Sequence, residues 1–225
     1  MSFSMLPADP VSYDDLVSRF HWDVPERFNI GVACADGHAP DKPAIIDWTG
    51  DEPITLSFGE LSEKSNRFAS ALAGLGIERG DRVAILLPQC FQTPIAHLAI
   101  YKLGAVAVPM AMQFGPDAIA YRLNLAGAAA IVLDQSGLEK LTASGEEFPG
   151  LKTKITIDGG ADARNFDELV AGGAPDFAPA DTGPDDPALM IFTSGTTGQP
   201  KGALHAHRVL LGHLPGVETH HEFLP

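Results

Sequence analysis

Short apolar runs alternate with segments of helical periodicity from Ser57 to Gly172, and this alternation constrains the possible folds most strongly. The run Val83–Leu87 is apolar at every position, which is typical of a strand buried on both faces. Further predicted strands are Ala105–Pro109, Ala129–Asp134 and Lys154–Ile157. Strands that alternate with helices form a mostly parallel sheet with helices on both faces. The sequence therefore predicts a layered, doubly wound α/β fold.

The predicted helices begin and end at residues with known capping preferences. Ser57 and Glu60 have the spacing of a capping box, which predicts a helix start. The segment Gly74–Gly80 lacks the glycine spacing of a dinucleotide-binding loop and predicts the end of this helix and a turn. Pro94 fits the first turn of the next helix, which Gly104 ends. Further helices are predicted after Pro116, with an end at Gly127, near Leu138 and after Asn165.

The segment Thr193–Gly202, with the sequence TSGTTGQPKG, directly follows the apolar run Ala188–Phe192. It combines three glycines, four hydroxyl side chains, one proline and one lysine. Glycines at positions 195, 198 and 202 allow positive φ angles, which turn N–H groups toward one point where a polyanion can accept them. The hydroxyl groups add donors, and Lys201 adds a positive charge. The segment therefore predicts a phosphate-binding loop at the carboxyl end of a strand.

The spacing excludes a Walker A loop, because Lys201 follows Pro200 rather than a glycine. Every position instead resembles the phosphate-binding signature of the AMP-forming adenylate synthetases, which include acyl-CoA synthetases, luciferases and adenylation domains of peptide synthetases. Leu56–Pro88 and Ala96–Met110 resemble free-standing acid–CoA ligases of the acetate to medium-chain or aryl class. The resemblance implies the N-terminal part of the family's large α/β domain, which a mobile lid domain follows. A loop that only joins two strands is the alternative.

The resemblance also implies which residues contact the nucleotide. The residues assigned to the β- and γ-phosphates of ATP are Thr193, Ser194, Gly195, Thr196, Thr197, Gly198, Gln199, Pro200 and Lys201. Mg²⁺ is expected as a counter-charge and coenzyme A as a co-substrate. The family's adenylation lysine lies in the lid, and its adenine, ribose and lid contacts have no counterpart in this sequence. We therefore assign no catalytic residue and expect the chain alone to be an inactive fragment.

One further role follows from the resemblance, because the family commonly has a His–Arg pair near the acyl pocket where His207 and Arg208 stand. A partly exposed surface histidine is the alternative for His207. Five of the eight histidines lie between His205 and His221. Their spacing fits no common zinc site, so no metal site is predicted among them.

The chain divides into three predicted parts. Residues 1–42 lack a sustained period and are expected to form an N-terminal arm, in which Trp22–Ile30 resembles the opening of acetate and medium-chain acyl-CoA synthetases. Residues 43–180 form the predicted α/β subdomain. The proline- and aspartate-rich segment Gly172–Pro187 is the clearest linker. Residues 181–225 begin a second α/β subdomain that carries the predicted phosphate-binding loop.

Composition and charge limit the class and location of the protein. The chain has 225 residues, 45% of them hydrophobic, which is enough for a full core. Its net charge of −14 argues against nonspecific binding to nucleic acid or anionic membranes, so an ATP site must be locally positive. The two cysteines are typical of reduced thiols. Without a recognisable signal peptide or long apolar run, we expect a cytoplasmic protein with no membrane insertion.

Three functions are compatible with the sequence. The leading hypothesis is an ATP-dependent, AMP-forming acid–CoA ligase of fatty acid metabolism, which joins a small carboxylic acid to CoA. An adenylation domain that loads a carrier protein is the second, and a short protein that binds a nucleotide without catalysis is the third. The acid is not predicted, because most of the acyl pocket would lie outside this sequence.

Overall fold

The computed structural model describes residues 5–7, 11–48, 52–160, 162–193 and 198–220. The helices of these residues are α1 (Tyr13–Arg19), α2 (Phe58–Gly74), α3 (Gln92–Leu103), α4 (Pro116–Ala126), α5 (Gln135–Ser144), α6 (Phe166–Gly172) and α7 (Val209–His220). The strands are β1 (Pro43–Asp47), β2 (Ile54–Ser57), β3 (Arg82–Leu86), β4 (Val106–Pro109), β5 (Ala128–Leu133), β6 (Thr153–Thr156), β7 (Arg164–Asn165), β8 (Pro187–Thr193) and β9 (Lys201–Ala206). A π-helical turn, Val32–Asp36, precedes β1.

The described strands form one large sheet and one small antiparallel pair. The large sheet has the strand order β7-β6-β5-β3-β4-β8-β9 within the described ranges. Its neighbouring strands are parallel except β8 and β9, which are antiparallel. β1 and β2 pair separately. The chain runs from β3 to β4 in one direction and crosses back to β5, so the predicted doubly wound, mostly parallel sheet is confirmed.

Both faces of the central strands are buried, which explains why their sequences lack in–out alternation. All six residues of β5 are buried. On β3, Val83 and Ile85 pack into the core shared with α2 and α3, whereas Ala84 and Leu86 pack into the core shared with α4 and α5. Helices therefore cover both faces of the sheet, as a buried parallel sheet requires.

The predicted helix caps are confirmed. Ser57 Oγ accepts a hydrogen bond from the Glu60 N–H at 3.2 Å, and the Glu60 carboxylate accepts one from the Ser57 N–H at 2.8 Å. α2 ends at Gly74, and Gly76 has a φ of 78°. Gly104 follows α3 with a φ of 73°, a conformation that costs glycine little. Local signals therefore determine where these helices begin and end.

The apolar stretch Ile95–Met110 is divided between two elements, as the sequence predicts. It supplies most of α3 and then β4, with Gly104 between them. α3 is buried along most of its length because it lies between α2 and the strands β3 and β4. None of the helices in the described ranges is long and apolar enough to cross a membrane.

The N-terminal segment and the predicted linker are joined by buried hydrogen bonds. The Asn29 side-chain amide donates to the Tyr101 carbonyl at 2.7 Å and to Thr182 Oγ1 at 3.2 Å. Thr182 Oγ1 donates to the Phe28 carbonyl at 2.8 Å. Both segments therefore pack against the end of α3. The subdomain boundaries after residues 42 and 180 stay predictions, since shared contacts neither define nor exclude a subdomain.

The end of α6 approaches the backbone of α2 closely. Arg67 Nη1 donates a hydrogen bond to the Gly173 carbonyl at 2.8 Å. A Cβ atom on Gly173 would lie 2.6 Å from the Arg67 carbonyl carbon, whereas a Cβ atom on Gly172 would meet open space. Glycine at position 173 therefore permits the observed packing of α6 on α2.

Replacing Gly173 by alanine should push α6 away from α2. We expect Gly173→Ala to lower the free energy of unfolding by about 1–3 kcal/mol, the usual cost of overpacking. Gly172→Ala is the matched control and should be neutral or slightly stabilising, because alanine favours a helix by about 0.5–1 kcal/mol. Urea denaturation followed by circular dichroism measures both. Equal stability of the two variants would contradict the close approach.

Candidate functional site

The predicted phosphate-binding loop connects the antiparallel strands β8 and β9. Their pairing runs from Pro187 opposite Ala206 to Thr193 opposite Lys201, so the last pair faces across the base of the loop. Gly198, Gln199 and Pro200 are described, whereas Ser194, Gly195, Thr196 and Thr197 lie outside the described residues. The phosphate contacts assigned to all nine positions therefore stay predictions.

The loop lies at the carboxyl end of β8. β8 runs parallel to β4, and β4 runs parallel to β3, so the carboxyl ends of these strands meet at one edge of the sheet. Open α/β sheets bind their ligands at this edge. The loop is therefore where the sequence predicts it, on the side of the sheet suited to a ligand.

Two glycines of the β8–β9 hairpin have different structural roles. Gly198 has a φ of 102°, which residues with a Cβ atom rarely adopt. Gly202 lies within β9, and the expectation of a positive φ there is wrong. A Cβ atom on Gly202 would lie 2.9 Å from Met190 Sδ and 3.4 Å from the Phe192 ring. Gly198 therefore permits the turn, whereas Gly202 makes room for two side chains of β8.

Lys201 carries its charge at the exposed start of β9. Within the described part of the chain, no carboxylate forms an ion pair with it. Thr193, which is also exposed, lies opposite Lys201 in the ladder and brings a hydroxyl group to the same end of the hairpin. In a protein with a net charge of −14, this end is a locally favourable place for an anion.

Helix α4 contacts both sides of the loop. The Tyr121 hydroxyl donates a hydrogen bond to the Pro200 carbonyl at 3.2 Å. The Arg122 guanidinium lies 5.7 Å from the centroid of the Phe192 ring on β8. A groove of about 540 Å³ separates α4 from the hairpin, and Lys201 is part of its lining. Sequence reasoning missed Tyr121 and Arg122, because their spacing is that of an ordinary helix.

His207 lies beyond the opposite end of β9 from Lys201, about 20 Å along the strand. It is fully buried, so the alternative of a partly exposed surface histidine is wrong. Its Nδ1 accepts a hydrogen bond from the Ile30 N–H at 3.1 Å, and its Nε2 is buried without a hydrogen-bond partner among the described residues. These contacts do not test its role in an acyl pocket, which stays a prediction.

Burial lowers the pKa of His207 to about 4, with a smaller opposing effect of Asp186 and a smaller supporting effect of Arg79. The Tyr101 and His207 rings pack in a T-shaped arrangement, with their centroids 6.3 Å apart. The neutral ring provides the acceptor that the Ile30 N–H requires. Protonation of Nδ1 would remove this acceptor and place a charge in the core.

Another groove lies between the β1–β2 pair and α3, away from the loop. Its volume is about 620 Å³, and Cys34, Phe58, Cys90 and His97 are among its lining residues. Burial raises the pKa of Cys34 and lowers the pKa of His97 to about 4, so both are uncharged at neutral pH. This groove contains none of the predicted site residues, and its apolar lining does not suit a phosphate.

Comparison with known proteins gives one family. Residues 33–223 match the family described as AMP-binding enzyme. The acetyl-coenzyme A synthetase of Halorhodospira halophila is 32% identical over an alignment 236 positions long, which covers 91% of this chain and 36% of that relative. The chain thus spans about a third of the length of the curated relatives it matches.

Solved structures agree with this match. An acyl-CoA synthetase from Brucella canis has a TM-score of 0.82 and 26% identity, over 92% of this chain and 40% of that one. The anthranilate CoA ligase AuaEII, solved in complex with anthranoyl-AMP, has a TM-score of 0.75 and 26% identity. That similarity covers 83% of this chain and 36% of the ligase.

The stability of the chain should fall as the pH drops from about 6.5 to about 4. Histidine in the unfolded chain titrates near 6.5, whereas the folded-state pKa of His207 is about 4, so the unfolded chain binds the proton first. The pKa of His97 is also lowered to about 4, so His97 adds to the loss of stability at low pH. His207→Asn keeps an acceptor for the Ile30 N–H but does not titrate. In this variant the slope of the unfolding free energy against pH should correspond to about one proton fewer. Urea unfolding across this pH range measures the slope.

Leu211→Ala is the control for this experiment, because Leu211 is a buried, non-titrating residue on α7. It should lower stability at every pH and keep the slope of the unaltered chain. An unchanged slope in His207→Asn would show that His207 is not held neutral in the folded state.

Proposed function

The chain belongs to the family of AMP-binding enzymes, and we propose that it is the phosphate-binding N-terminal portion of an ATP-dependent, AMP-forming acid–CoA ligase. One observation carries the proposal: a hairpin inside the family match presents Thr193 and Lys201 at the carboxyl edge of the sheet. The names of the relatives support CoA as the acceptor rather than a carrier protein. The neighbour that holds anthranoyl-AMP supports an acyl-adenylate as the intermediate.

The proposed reaction has two steps. A carboxylate oxygen attacks the α-phosphorus of ATP, the bond to the bridging oxygen breaks, and pyrophosphate leaves with its electrons. The CoA sulfur then attacks the acyl carbon, AMP leaves, and the thiol proton is released. Negative charge accumulates on the departing pyrophosphate in the first step only. Donors that are fixed before this charge develops lower the barrier to that step.

In this scheme the loop residues Thr193–Lys201 hold the β- and γ-phosphates. The exposed Lys201 has no described carboxylate as a competing partner, so its ammonium group is available to a phosphate oxygen. Thr193 adds a hydroxyl donor across the ladder. The positive φ of Gly198 allows the intervening backbone to direct N–H groups to the same point.

Mg²⁺ fits this site only together with the nucleotide. The described part of the loop offers the Thr193 hydroxyl and no carboxylate, whereas Mg²⁺ prefers several oxygen ligands and is usually held partly by substrate phosphates. When bound, the ion would supply counter-charge to the phosphates. Thr193 is the described residue that could contribute an oxygen to it.

The proposed substrates are a small carboxylic acid, ATP and CoA, as in the activation step of fatty acid metabolism. The free thiols of Cys34 and Cys90 support a reducing compartment such as the cytoplasm.

The 225-residue chain alone should not adenylate an acid at the rate of a protein of its relatives' length. The reason is that it covers 36% of such a relative and lacks counterparts of the family's adenine, ribose and lid contacts. Acid-dependent exchange of labelled pyrophosphate into ATP measures this activity. Equal rates for the chain and the longer protein would contradict the proposal, and so would steady production of ADP by the longer protein.

Lys201→Ala should slow adenylation in a protein of the relatives' length that carries this chain. The substitution removes the one charge of the loop but leaves its glycines, so folding should survive. Losing one fixed donor costs roughly a hundredfold to a thousandfold in rate, and we expect the lower end because other donors remain. Pyrophosphate exchange measures adenylation, and conversion of supplied acyl-adenylate with CoA measures the second step, which should be largely spared.

Lys64→Ala, which removes an exposed lysine on α2, is the matched control and should leave both steps unchanged. A Lys201→Ala variant that adenylates normally would overturn the phosphate role of Lys201. Equal loss of both steps in a folded variant would do the same.

A further inference from the structure

The phosphate-binding hairpin has only a short ladder to the rest of the sheet. Within the described residues, β8 pairs with β4 through Ala107 opposite Leu189, whereas β8 and β9 pair along nearly their whole length. The backbone ladder therefore fixes the shape of the hairpin better than its position against the sheet. Side-chain contacts from outside the hairpin are needed to fix that position, and α4 supplies contacts on both flanks of the loop.

We propose that Tyr121 and Arg122 of α4 are positioning residues of the phosphate-binding loop, Tyr121 on its β9 side and Arg122 on its β8 side. The inference rests on the proposed function and concerns residues that touch the loop's flanks rather than the reacting atoms. Preorganisation of the loop by these residues lets its donors meet the phosphates without reorganisation during adenylation.

Tyr121 holds the end of the loop that leads into β9. Its hydroxyl donates to the Pro200 carbonyl at 3.2 Å, and Pro200 directly precedes Lys201. Proline has no N–H group, so its carbonyl is the polar backbone atom through which this position can be held. The Tyr121 ring is half-buried and lines the groove that Lys201 also lines. Loss of this hydrogen bond would free the backbone immediately before the loop's cation.

Arg122 supports the strand that leads into the loop. Its guanidinium lies 4.0 Å from the centroid of the Phe114 ring and 5.7 Å from that of Phe192, and Phe192 directly precedes Thr193. Arg122 Nη1 donates to the Ala118 carbonyl at 2.7 Å, which fixes the side chain to its own helix. Arg122 therefore connects Phe192 of β8 to α4 through a cation–π contact, and the Phe114 ring packs against the same guanidinium.

The charge of Arg122 is buried without a described counter-ion. The residue is 8% exposed, its Nε has no hydrogen-bond partner, and none of the ion pairs among the described residues includes it. A buried cation without an ion-pair partner is costly, and such groups are usually paired. Beside a loop that binds a polyanion, however, the same charge adds favourable potential that little solvent screens.

The decisive variant is Tyr121→Phe, which removes one hydroxyl and keeps the ring. It should raise the KM for ATP or lower kcat of adenylation by about two- to tenfold in total, the usual effect of one neutral hydrogen bond. Conversion of supplied acyl-adenylate with CoA should be unchanged, and so should the melting temperature within a few degrees. Tyr13→Phe, at an exposed tyrosine of α1, is the matched control and should behave as the unaltered protein. These measurements use a protein of the relatives' length that carries this chain.

A second pair of variants tests the charge of Arg122. Arg122→Met should weaken product inhibition by inorganic pyrophosphate by at least about two- to tenfold, the effect expected of Tyr121→Phe on adenylation. Arg122→Lys, which keeps the charge, should retain more of that inhibition. If Arg122→Met does not fold, Tyr121→Phe decides the proposal by itself.

The outcomes separate this inference from the proposed function. No acid-dependent pyrophosphate exchange in the unaltered protein would overturn the proposed function, and the inference with it. Normal exchange in the unaltered protein, with Tyr121→Phe adenylating equally well or losing both steps equally, would overturn the positioning role alone. Inhibition by pyrophosphate that is identical in folded Arg122→Met and the unaltered protein would overturn the contribution of its charge.

Discussion

The central strands must bury both faces, and this constraint determines where the covering helices lie. All of β5 and four of the five residues of β3 are buried. Their side chains need one helical layer on each face, which α2, α3 and α6 provide on one side and α4 and α5 on the other. Since each crossover leaves its parallel strand at the carboxyl end, the strand-to-helix loops gather at that edge, where open α/β sheets bind ligands. The loop between β8 and β9 lies at the same edge.

A buried ion pair attaches the N-terminal segment to this core. Lys102 Nζ lies 2.6 Å from Asp36 Oδ1 and 2.7 Å from Asn66 Oδ1, and the lysine side chain has no exposed surface. Burial lowers the pKa of Lys102, whereas its hydrogen bond and charge interaction with Asp36 oppose the shift. Removing Asp36 would leave a buried cation, which costs more than the pair contributes to stability. The pair therefore acts mainly as a constraint on where the π-helical turn can sit.

Sequence alone could predict the features that depend on a few neighbouring residues. The capping box of α2 and the position of the loop after β8 belong to this class. Strand limits were less certain: β5 begins one residue before its predicted start, and Asp134, predicted as its end, caps α5 by accepting a hydrogen bond from Gly137. The contact between Tyr121 and Pro200 joins residues 79 positions apart, and helical spacing does not reveal which strand a helix will face. The contacts of α4 with the loop could therefore not be predicted from the sequence, whereas the position of the loop could.

In the proposed phosphate site, the β8–β9 hairpin and α4 have separate roles. Pairing of Thr193 with Lys201 fixes the spacing of the hydroxyl and the cation, because a change in spacing would break the β8–β9 ladder. The same ladder cannot fix the distance from these groups to a substrate, since a rigid hairpin can tilt about its short junction with β4. Contacts from α4 oppose such a tilt, because α4 is itself packed against the sheet through Ile119 and Leu123. Spacing is thus a property of the backbone, whereas placement is a property of side chains on another element. The two are coupled, because Tyr121 contacts Pro200, the neighbour of Lys201.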